Sequence, residues 1–237
     1  MFDTHGKFTD RMLLPEGASG FHPISYVSRL YAPPPPAAWQ LCVKRGIDIV
    51  GASACLAIAA VPILIAAVAI CVDSRGPAWF CQPRIGQDGK PFTMWKLRTM
   101  RHAPESRALV QATKGDPRVT RVGAWLRRSS MDELPQLLNV LRGDMSLIGP
   151  RPHAPGTKAG GCRFEDVTPR YADRHRVKPG MSGLAQVRGW RGETDTQQKL
   201  LNRLDSDLEY IETWSLRLDV SILLRTIPLV ARMFNAY

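Results

Sequence analysis

Asp132 and Glu133 are adjacent carboxylates inside a segment of the chain that is rich in arginine. Guanidinium groups flank the pair on both sides within residues 116–152: Arg118, Arg121, Arg127, Arg128, Arg142 and Arg151. Chemistry on a phosphate requires that its negative charge be neutralised, and Arg or Lys side chains and metal ions do this. Two carboxylates among arginines therefore predict a site for a highly anionic substrate.

A helix is predicted to position the two acids. Its apolar face recurs at helical spacing, in Leu134, Leu137, Leu138 and Leu141. Gly143 follows as a stop signal. The acids would therefore lie at the start of this helix and the leucines would face the core.

The start of this helix has two alternatives. Ser130 with Glu133 three residues later is typical of a capping box, which would make Ser130 the N-cap. Pro135 favours an N-cap at Met131 or Asp132, because its ring clashes with the carbonyl four residues back. Either start places both acids in the first turn, where negative charge complements the helix dipole. Capping alone would explain the acids, but it requires no arginine, so the arginines favour a functional site.

Residues 77–100 alternate in polarity, contain aromatic residues and surround the dipeptide Asp88-Gly89. This pattern predicts two short strands joined by a turn at the dipeptide. Lys96 and Arg98 are two residues apart on the second strand, so their side chains would share a strand face. Solvated surface charge is the ordinary interpretation of such a pair.

The stretch from Ile49 to Val72 carries no charged side chain. As a straight helix it would extend about 36 Å, enough to cross a hydrocarbon core of about 30 Å. Pro62 divides it into arms of roughly 20 and 16 Å, each too short to cross. Basic residues flank both ends, so the positive-inside rule favours the cytoplasmic face for both. A bent, re-entrant helix satisfies both constraints, and a kinked spanning helix is the alternative.

Asp48 lies three residues after Arg45, close to the predicted lipid boundary. A carboxylate at this depth is expected to pair with Arg45 or Lys44, because an ion pair lowers the cost of burying it. The sequence therefore predicts a structural ion pair at the start of the apolar helix.

The amino-acid composition limits which cellular compartment and which binding partners are expected. The net charge of +11 points to nucleic acid, anionic lipid or phosphorylated metabolites. The five cysteines form neither an evident disulfide framework nor a convincing zinc spacing, which favours a catalytic part that faces the cytoplasm. The N-terminal tail ends in four successive prolines, which favour an extended segment without its own core.

Two helices are predicted towards the C-terminus, over Asp205–Trp214 and Leu216–Phe234. The second mixes apolar residues with several charges. Packing against the core is the default for such a helix, and shallow insertion in a membrane interface is the alternative.

Together these segments resemble the bacterial sugar transferases, the monotopic polyprenyl-phosphate phosphoglycosyl transferases that start exopolysaccharide and O-antigen synthesis. Ordered blocks from roughly residue 40 to residue 235 carry the resemblance: Lys44–Asp48, Gln82–Met100, Asp116–Pro152, Lys178–Thr196 and Asp207–Asp219. One position departs from the family, because the residue before Pro62 is often serine there and is Val61 here.

The resemblance implies a membrane-associated α+β protein. A re-entrant N-terminal hydrophobic helix would precede a compact, mainly helical cytoplasmic catalytic domain with a short β-hairpin and interfacial helices. We therefore expect a Pro-rich tail over residues 1–40, the membrane helix over 41–75 and the phosphoglycosyl transferase domain over 76–237. The expected location is the bacterial inner membrane, with the catalytic domain on its cytoplasmic face.

The resemblance also implies roles for individual residues. Asp132 would be the nucleophile that forms a sugar-phosphoryl aspartate and releases UMP, and Glu133, together with Asp132, would hold Mg²⁺. The expected phosphate-binding residues are Lys96, Arg98, Arg127 and Arg151. The expected membrane and polyprenyl-phosphate interface consists of Lys44, Arg45, Asp48 and Pro62.

The expected partners are a UDP-sugar donor, the acceptor undecaprenyl phosphate and membrane lipid, and a homodimer is left open. The GWRGETDT stretch and the sequence around His153 resemble glucose-phosphate transferases, so UDP-glucose is narrowly favoured over UDP-galactose or a UDP-N-acetylhexosamine. His153 itself is expected to be structural.

Two other classes of function compete with this one. A nucleic-acid-binding protein would suit the charge, but the sequence has no zinc-finger spacing, RNP signature or basic region followed by heptads, so no nucleic-acid partner is expected. A membrane-bound scaffold without chemistry would leave the acids as helix caps only.

Overall fold

The apolar segment forms one long helix at the start of the described chain. The computed structural model describes residues 36–101, 115–192 and 194–231, so most of the predicted tail lies outside the described residues. Helix α1 is Ala38–Asp73 and contains Pro62. Its 36 residues are long and apolar enough to cross a membrane, and only 22% of its most apolar 18-residue segment is buried. The helix is therefore compatible with membrane association.

One face of α1 packs on the rest of the chain between Asp48 and Ile70. The buried residues recur at helical spacing: Asp48, Ala52, Ala59, Ile63, Ala66 and Ile70. Large apolar side chains on the other faces are exposed, for example Val50, Ile58, Leu64 and Val72. The helix thus has one surface for the protein and a second surface whose chemistry suits lipid.

A β-hairpin follows α1 and confirms the predicted strand pair. Strand β1, Trp79–Ile85, runs antiparallel to β2, Pro91–Leu97, with Trp79 opposite Leu97. The connecting residues Gln87–Gly89 form a 3₁₀ turn, in which Asp88 and Gly89 have φ values of 55° and 74°. Asp and Gly tolerate this left-handed conformation, which explains why the dipeptide marks the turn.

The remaining described elements are mainly short helices with two further strand pairs. The helices are α2 Arg121–Ser129, α3 Gln136–Arg142, α4 Phe164–Val167, α5 Leu184–Val187, α6 Gln197–Glu212 and α7 Leu216–Ala231. The 3₁₀ segments are Met131–Glu133 and Pro169–Arg176. Strand β3, Ser146–Ile148, pairs in parallel with β6, Gly180–Ser182, and β4, Lys158–Ala159, pairs antiparallel with β5, Cys162–Arg163. The mixture of helices and strands confirms the predicted α+β class.

Helix α6 supplies much of the core and is longer than predicted. It begins at Gln197 because the Thr196 hydroxyl accepts a hydrogen bond from the backbone N–H of Lys199 at 3.3 Å. Its buried residues pack with those of α3 and β3 in one cluster, for example Leu200, Leu204, Leu137 and Ile148. This core holds the elements on either side of Asp132 in fixed positions.

Arg98 lies at the C-terminal end of α1 and away from the acids. Its guanidinium group donates hydrogen bonds to the carbonyls of Ser74 at 2.8 Å and Gly76 at 3.1 Å, and also to those of Ile70 and Arg75. The last carbonyls of a helix lack partners within the helix, so a buried cation stabilises this end. The predicted strand face shared with Lys96 does not form, because β2 ends at Leu97.

Replacing Arg98 with Met is expected to destabilise the fold by about 3 kcal/mol, because buried carbonyls lose a charged donor. Urea denaturation of the detergent-solubilised protein would measure the change. Lys90→Met is the matched control, since Lys90 is exposed in the hairpin turn. If Arg98→Met were as stable as the control and lost donor binding instead, Arg98 would be a phosphate ligand after all.

Candidate active site

Asp132 and Glu133 lie in a 3₁₀ turn, Met131–Glu133, that precedes helix α3; we call it the acid turn. The predicted capping box is wrong, because Ser130 has a left-handed backbone with φ of 58° and its side chain makes no capping bond. Helix α3 begins at Gln136, with Pro135 as its N-cap. The acids therefore lie before the helix and not in its first turn. Pro135 delays the helix, as its ring geometry predicts.

Glu133 is held by two cations from different parts of the chain. Lys96 on β2 donates to Oε1 at 2.8 Å, and Arg151 donates to Oε2 at 3.0 Å and also to Oε1. Burial alone would raise the pKa of Glu133, but Arg151 and Lys96 outweigh burial and hold this pKa well below its usual range. Glu133 is therefore ionised and links the hairpin to the segment after β3.

Asp132 has a different environment from its neighbour. Its exposed fraction is 8%, and within the part of the chain that the structure describes its carboxylate accepts no hydrogen bond. Burial raises the pKa of Asp132 to about 6, against the opposing effect of Lys96. At neutral pH the group is thus mostly ionised, yet more basic than an ordinary aspartate. A desolvated, unbonded and basic carboxylate has the properties of a nucleophile.

Asp132→Asn is expected to stabilise the fold at pH 8 in the presence of EDTA. A folded-state pKa raised from 3.8 to about 6 means that the ionised carboxylate opposes folding. The wild type therefore loses stability as pH rises from about 4 to 6, by up to about 3 kcal/mol, and the variant does not. Urea denaturation at pH 4 and pH 8 would measure the difference. A wild type that is the more stable protein at pH 8 would contradict the raised pKa.

Further cations surround the acid turn. Arg127 on α2 donates from Nε to the Thr99 hydroxyl at 2.8 Å, and its charge lowers the pKa of Asp132. Arg191 contacts the Ser130 hydroxyl at the start of the acid turn. Of the four residues predicted to bind phosphate, the structure thus brings Lys96, Arg127 and Arg151 to the acids and places Arg98 elsewhere.

Arg191 is a residue of this site that sequence reasoning did not assign. It lies in the GWRGETDT stretch between Gly189 and Gly192, which both have positive φ values. Glycines on both sides of an arginine were the available signal, because they indicate a tight loop that presents the side chain between them.

The predicted ion pair of Asp48 with Arg45 or Lys44 is wrong. Asp48 Oδ1 instead accepts hydrogen bonds from the Ser146 hydroxyl and the Leu147 backbone N–H, both at 2.9 Å. These two donors satisfy the buried carboxylate at the start of β3. Asp48 therefore joins α1 to β3.

Lys44 and Arg45 also hold the N-terminal end of α1 on the domain. Lys44 forms an ion pair with Asp219 of α7 at 2.7 Å, and Asp219 accepts a second bond from the Tyr210 hydroxyl at 2.8 Å. Arg45 donates to the carbonyls of Val140 and Leu141 near the end of α3, at 2.6 and 2.7 Å. Pro62, the fourth predicted interface residue, is half-buried in the middle of α1.

His153 is enclosed by polar side chains, as expected of a structural residue. Its Nδ1 contacts the Tyr171 hydroxyl at 3.0 Å and a guanidinium nitrogen of Arg174, and its Nε2 lies 3.3 Å from Arg203. Burial and the neighbouring arginines hold the pKa of His153 well below its usual range. The ring is therefore neutral at physiological pH.

The sequence of the chain matches a known family. The model of the family described as bacterial sugar transferase matches residues 39–233. A UDP-glucose:undecaprenyl-phosphate glucose-1-phosphate transferase of Caulobacter vibrioides is 50% identical over 194 residues, which are 82% of this chain and 72% of that protein.

Two further relatives are longer than this chain. An undecaprenyl-phosphate glucose phosphotransferase of Komagataeibacter xylinus is 49% identical over 86% of the chain and 38% of its own length. A UDP-N-acetylgalactosamine-undecaprenyl-phosphate N-acetylgalactosaminephosphotransferase of Aeromonas hydrophila is 40% identical over 82% of the chain and 45% of its own length. The chain thus spans less than half the length of both.

Proposed function

Since the chain belongs to the bacterial sugar transferase family, we propose that it transfers a sugar 1-phosphate from a UDP-sugar to undecaprenyl phosphate. Glucose 1-phosphate is the first candidate, and the product would start exopolysaccharide or O-antigen synthesis. The observation that carries this proposal is the acid turn, where the unbonded Asp132 adjoins a glutamate held by two cations. The family match confirms the resemblance that the sequence predicted.

The first step is a displacement at the sugar-bearing phosphorus of the donor. An oxygen of ionised Asp132 forms a bond to this phosphorus, and the bond to the bridging oxygen breaks, so UMP leaves with the bonding electrons. Attack by an anion on an anionic phosphate needs neutralisation. Lys96, Arg127 and Arg151 supply positive charge around the turn. The product is a sugar-phosphoryl ester of Asp132.

The second step returns Asp132 to its starting state. A phosphate oxygen of undecaprenyl phosphate attacks the same phosphorus, and the aspartyl oxygen leaves as a carboxylate. Neither step requires a base from the protein, because each nucleophile is already an anion. The mechanism therefore assigns no proton transfer to His153, which is held neutral among arginines.

Magnesium fits the chemistry of the acid turn. Mg²⁺ is usually held by one or two carboxylates together with substrate phosphates, and Asp132 and Glu133 are the carboxylates present. Within the described residues no group of three or more metal-ligating side chains exists, so phosphates would supply the remaining ligands. When bound, the ion would neutralise charge on the diphosphate. Lys96 and Arg151, which hold Glu133, would then be available to the phosphates.

The identity of the sugar is tested by UMP release from a panel of UDP-sugars with undecaprenyl phosphate present. Two of the relatives are named for glucose and one for N-acetylgalactosamine, so UDP-glucose is expected to be the best donor and UDP-N-acetylgalactosamine is the second candidate. UDP-galactose belongs in the same panel. Release from none of these donors would favour the membrane-bound scaffold without chemistry.

We further propose that α1 enters the membrane and returns to the same face. Residues near both of its ends are held by the rest of the chain. Lys44 and Asp48 are bonded to α7 and β3, and the carbonyls of Ile70 and Ser74 accept hydrogen bonds from Arg98. A helix that crossed the bilayer would have to place parts of the rest of the chain on opposite sides. The exposed apolar side chains of α1 supply the surface for lipid.

Native cysteines allow a test of this arrangement, because Cys42 in α1 and Cys81 in β1 are both exposed. In variants that retain one of these cysteines, we expect an impermeant maleimide to label both from the cytoplasmic side only. Labelling of spheroplasts would report exposure on the periplasmic side, and labelling of inverted membrane vesicles would report exposure on the cytoplasmic side. Labelling of Cys42 and Cys81 from opposite sides would establish a spanning helix.

A further inference from the structure

The loop around Arg191 is anchored so that this side chain points at the acid turn. Arg203, a buried residue of α6, donates from Nε to the carbonyl of Trp190 at 3.0 Å and from Nη2 to the carbonyl of Gly192 at 3.1 Å. These carbonyls belong to the residues immediately before and after Arg191. Arg203 therefore fixes the backbone on both sides of Arg191, whose guanidinium group contacts the Ser130 hydroxyl.

Arg191 is paired differently from Lys96 and Arg151. Lys96 and Arg151 are both paired with Glu133. Within the described residues, Arg191 has no carboxylate partner, and its side chain donates a hydrogen bond to the neutral Ser130 hydroxyl. A half-buried guanidinium group that is rigidly presented beside a nucleophile, yet bound only to a hydroxyl, is available to an anion without breaking an ion pair.

We propose that Arg191 binds the diphosphate of the nucleotide-sugar donor at the Ser130 end of the acid turn, and that Arg203 is the positioning residue that holds it there. This inference rests on the proposed function for the identity of the donor. The Glu133 end of the turn supplies Lys96 and Arg151, so the donor's diphosphate would receive cations from both ends. Arg191 would leave the Ser130 hydroxyl for the phosphate when the donor binds.

The experiment compares Arg191→Ala with Arg188→Ala in the full-length protein. Arg188 lies three residues away and pairs on the surface with Glu209, so its loss removes the same charge from the same region. We expect Arg191→Ala to raise the KM for UDP-glucose by about 10- to 100-fold, the range for a lost charged hydrogen bond. Arg188→Ala should remain within about twofold, as exposed ion pairs contribute little.

Affinity for UDP, measured by calorimetry without turnover, separates this inference from the proposed function. We expect Arg191→Ala to weaken UDP binding by about the same factor as it raises KM. Arg191→Lys should recover part of the UDP affinity, since lysine retains the positive charge but not the planar guanidinium group that can donate two parallel hydrogen bonds. Arg203→Lys should raise KM with little change in kcat, as a positioning residue would. A wild type that binds UDP but releases no UMP would contradict the proposed function only.

The inference itself is overturned by either of two results. Unchanged UDP affinity and KM in a folded Arg191→Ala protein would exclude a contact with the diphosphate. Equal losses of UDP affinity in Arg191→Ala and Arg188→Ala would show that any positive charge in this region, and not a contact made by Arg191, accounts for the effect. Circular dichroism and urea denaturation of each variant would establish that it is folded.

Discussion

Replacing Asp132 with Asn is expected to reduce UMP release by about 10⁴-fold or more, because a neutral amide has no anionic oxygen to attack phosphorus. The amide has nearly the shape of the carboxylate, and Asp132 accepts no hydrogen bond within the described residues, so the turn should keep its geometry. UMP release from UDP-glucose, with undecaprenyl phosphate and Mg²⁺ present, is the measurement.

Asp205→Asn is the control for this variant, since Asp205 is an exposed carboxylate on α6 and is not part of the acid turn. Its activity should equal that of the wild type. If Asp132→Asn retained turnover within about tenfold of the wild type, the loss would be far too small for a missing nucleophile. Asp132 would then be a packing residue, and the assignment of the reaction to this turn would fail.

Glu133→Gln is expected to lower kcat by about 10²- to 10³-fold, the usual cost of removing one preorganised charged group from a site. The neutral side chain leaves Lys96 and Arg151 without their counter-charge. It also removes an oxygen ligand expected for Mg²⁺. A titration of Mg²⁺ in the UMP-release assay would separate these effects, because a lost metal ligand raises the concentration of Mg²⁺ required.

Glu209→Gln provides the matched control for that variant, because Glu209 also accepts two bonds from an arginine but does so at the surface. It should change neither kcat nor the Mg²⁺ requirement. A Glu133→Gln protein with normal kcat and lowered stability would show that Glu133 only joins the hairpin to the segment after β3. Normal stability with an increased Mg²⁺ requirement would support the metal assignment.

Local sequence patterns were sufficient for much of the fold. The Asp88-Gly89 turn specified the hairpin because few other residues accept its positive φ values. The absence of charge between Ile49 and Val72 identified the core of α1, although the helix extends to Ala38. Patterns of this kind depend on neighbours in the chain, and they carry over directly into secondary structure.

Long-range partners were not predictable in the same way. Arg98 and Lys96 are both basic and two residues apart, but one meets the last carbonyls of α1 and the other meets Glu133. Asp48 accepts hydrogen bonds from donors of β3, although Lys44 and Arg45 are only four and three residues away in the sequence. Such choices depend on how distant segments pack, which single-sequence spacing does not encode.

The acid turn shows how local signals can conflict. Ser130 and Glu133 have the spacing of a capping box, yet the left-handed backbone at Ser130 ends α2 and prevents it. Arg151 and Lys96, brought from elsewhere by the fold, then engage the Glu133 side chain that a capping box would have used. The adjacency of two acids among arginines was informative about the site, whereas the helix start around them was not.

Mass spectrometry of the purified protein after exposure to UDP-glucose, without acceptor, is the most direct test of the mechanism. We expect a mass increase equal to one glucosyl phosphate, located by peptide mapping on Asp132, and its disappearance when undecaprenyl phosphate is added. A protein that releases UMP once undecaprenyl phosphate is added, yet carries no adduct on Asp132 in its absence, would show direct transfer between donor and acceptor and would contradict the covalent mechanism.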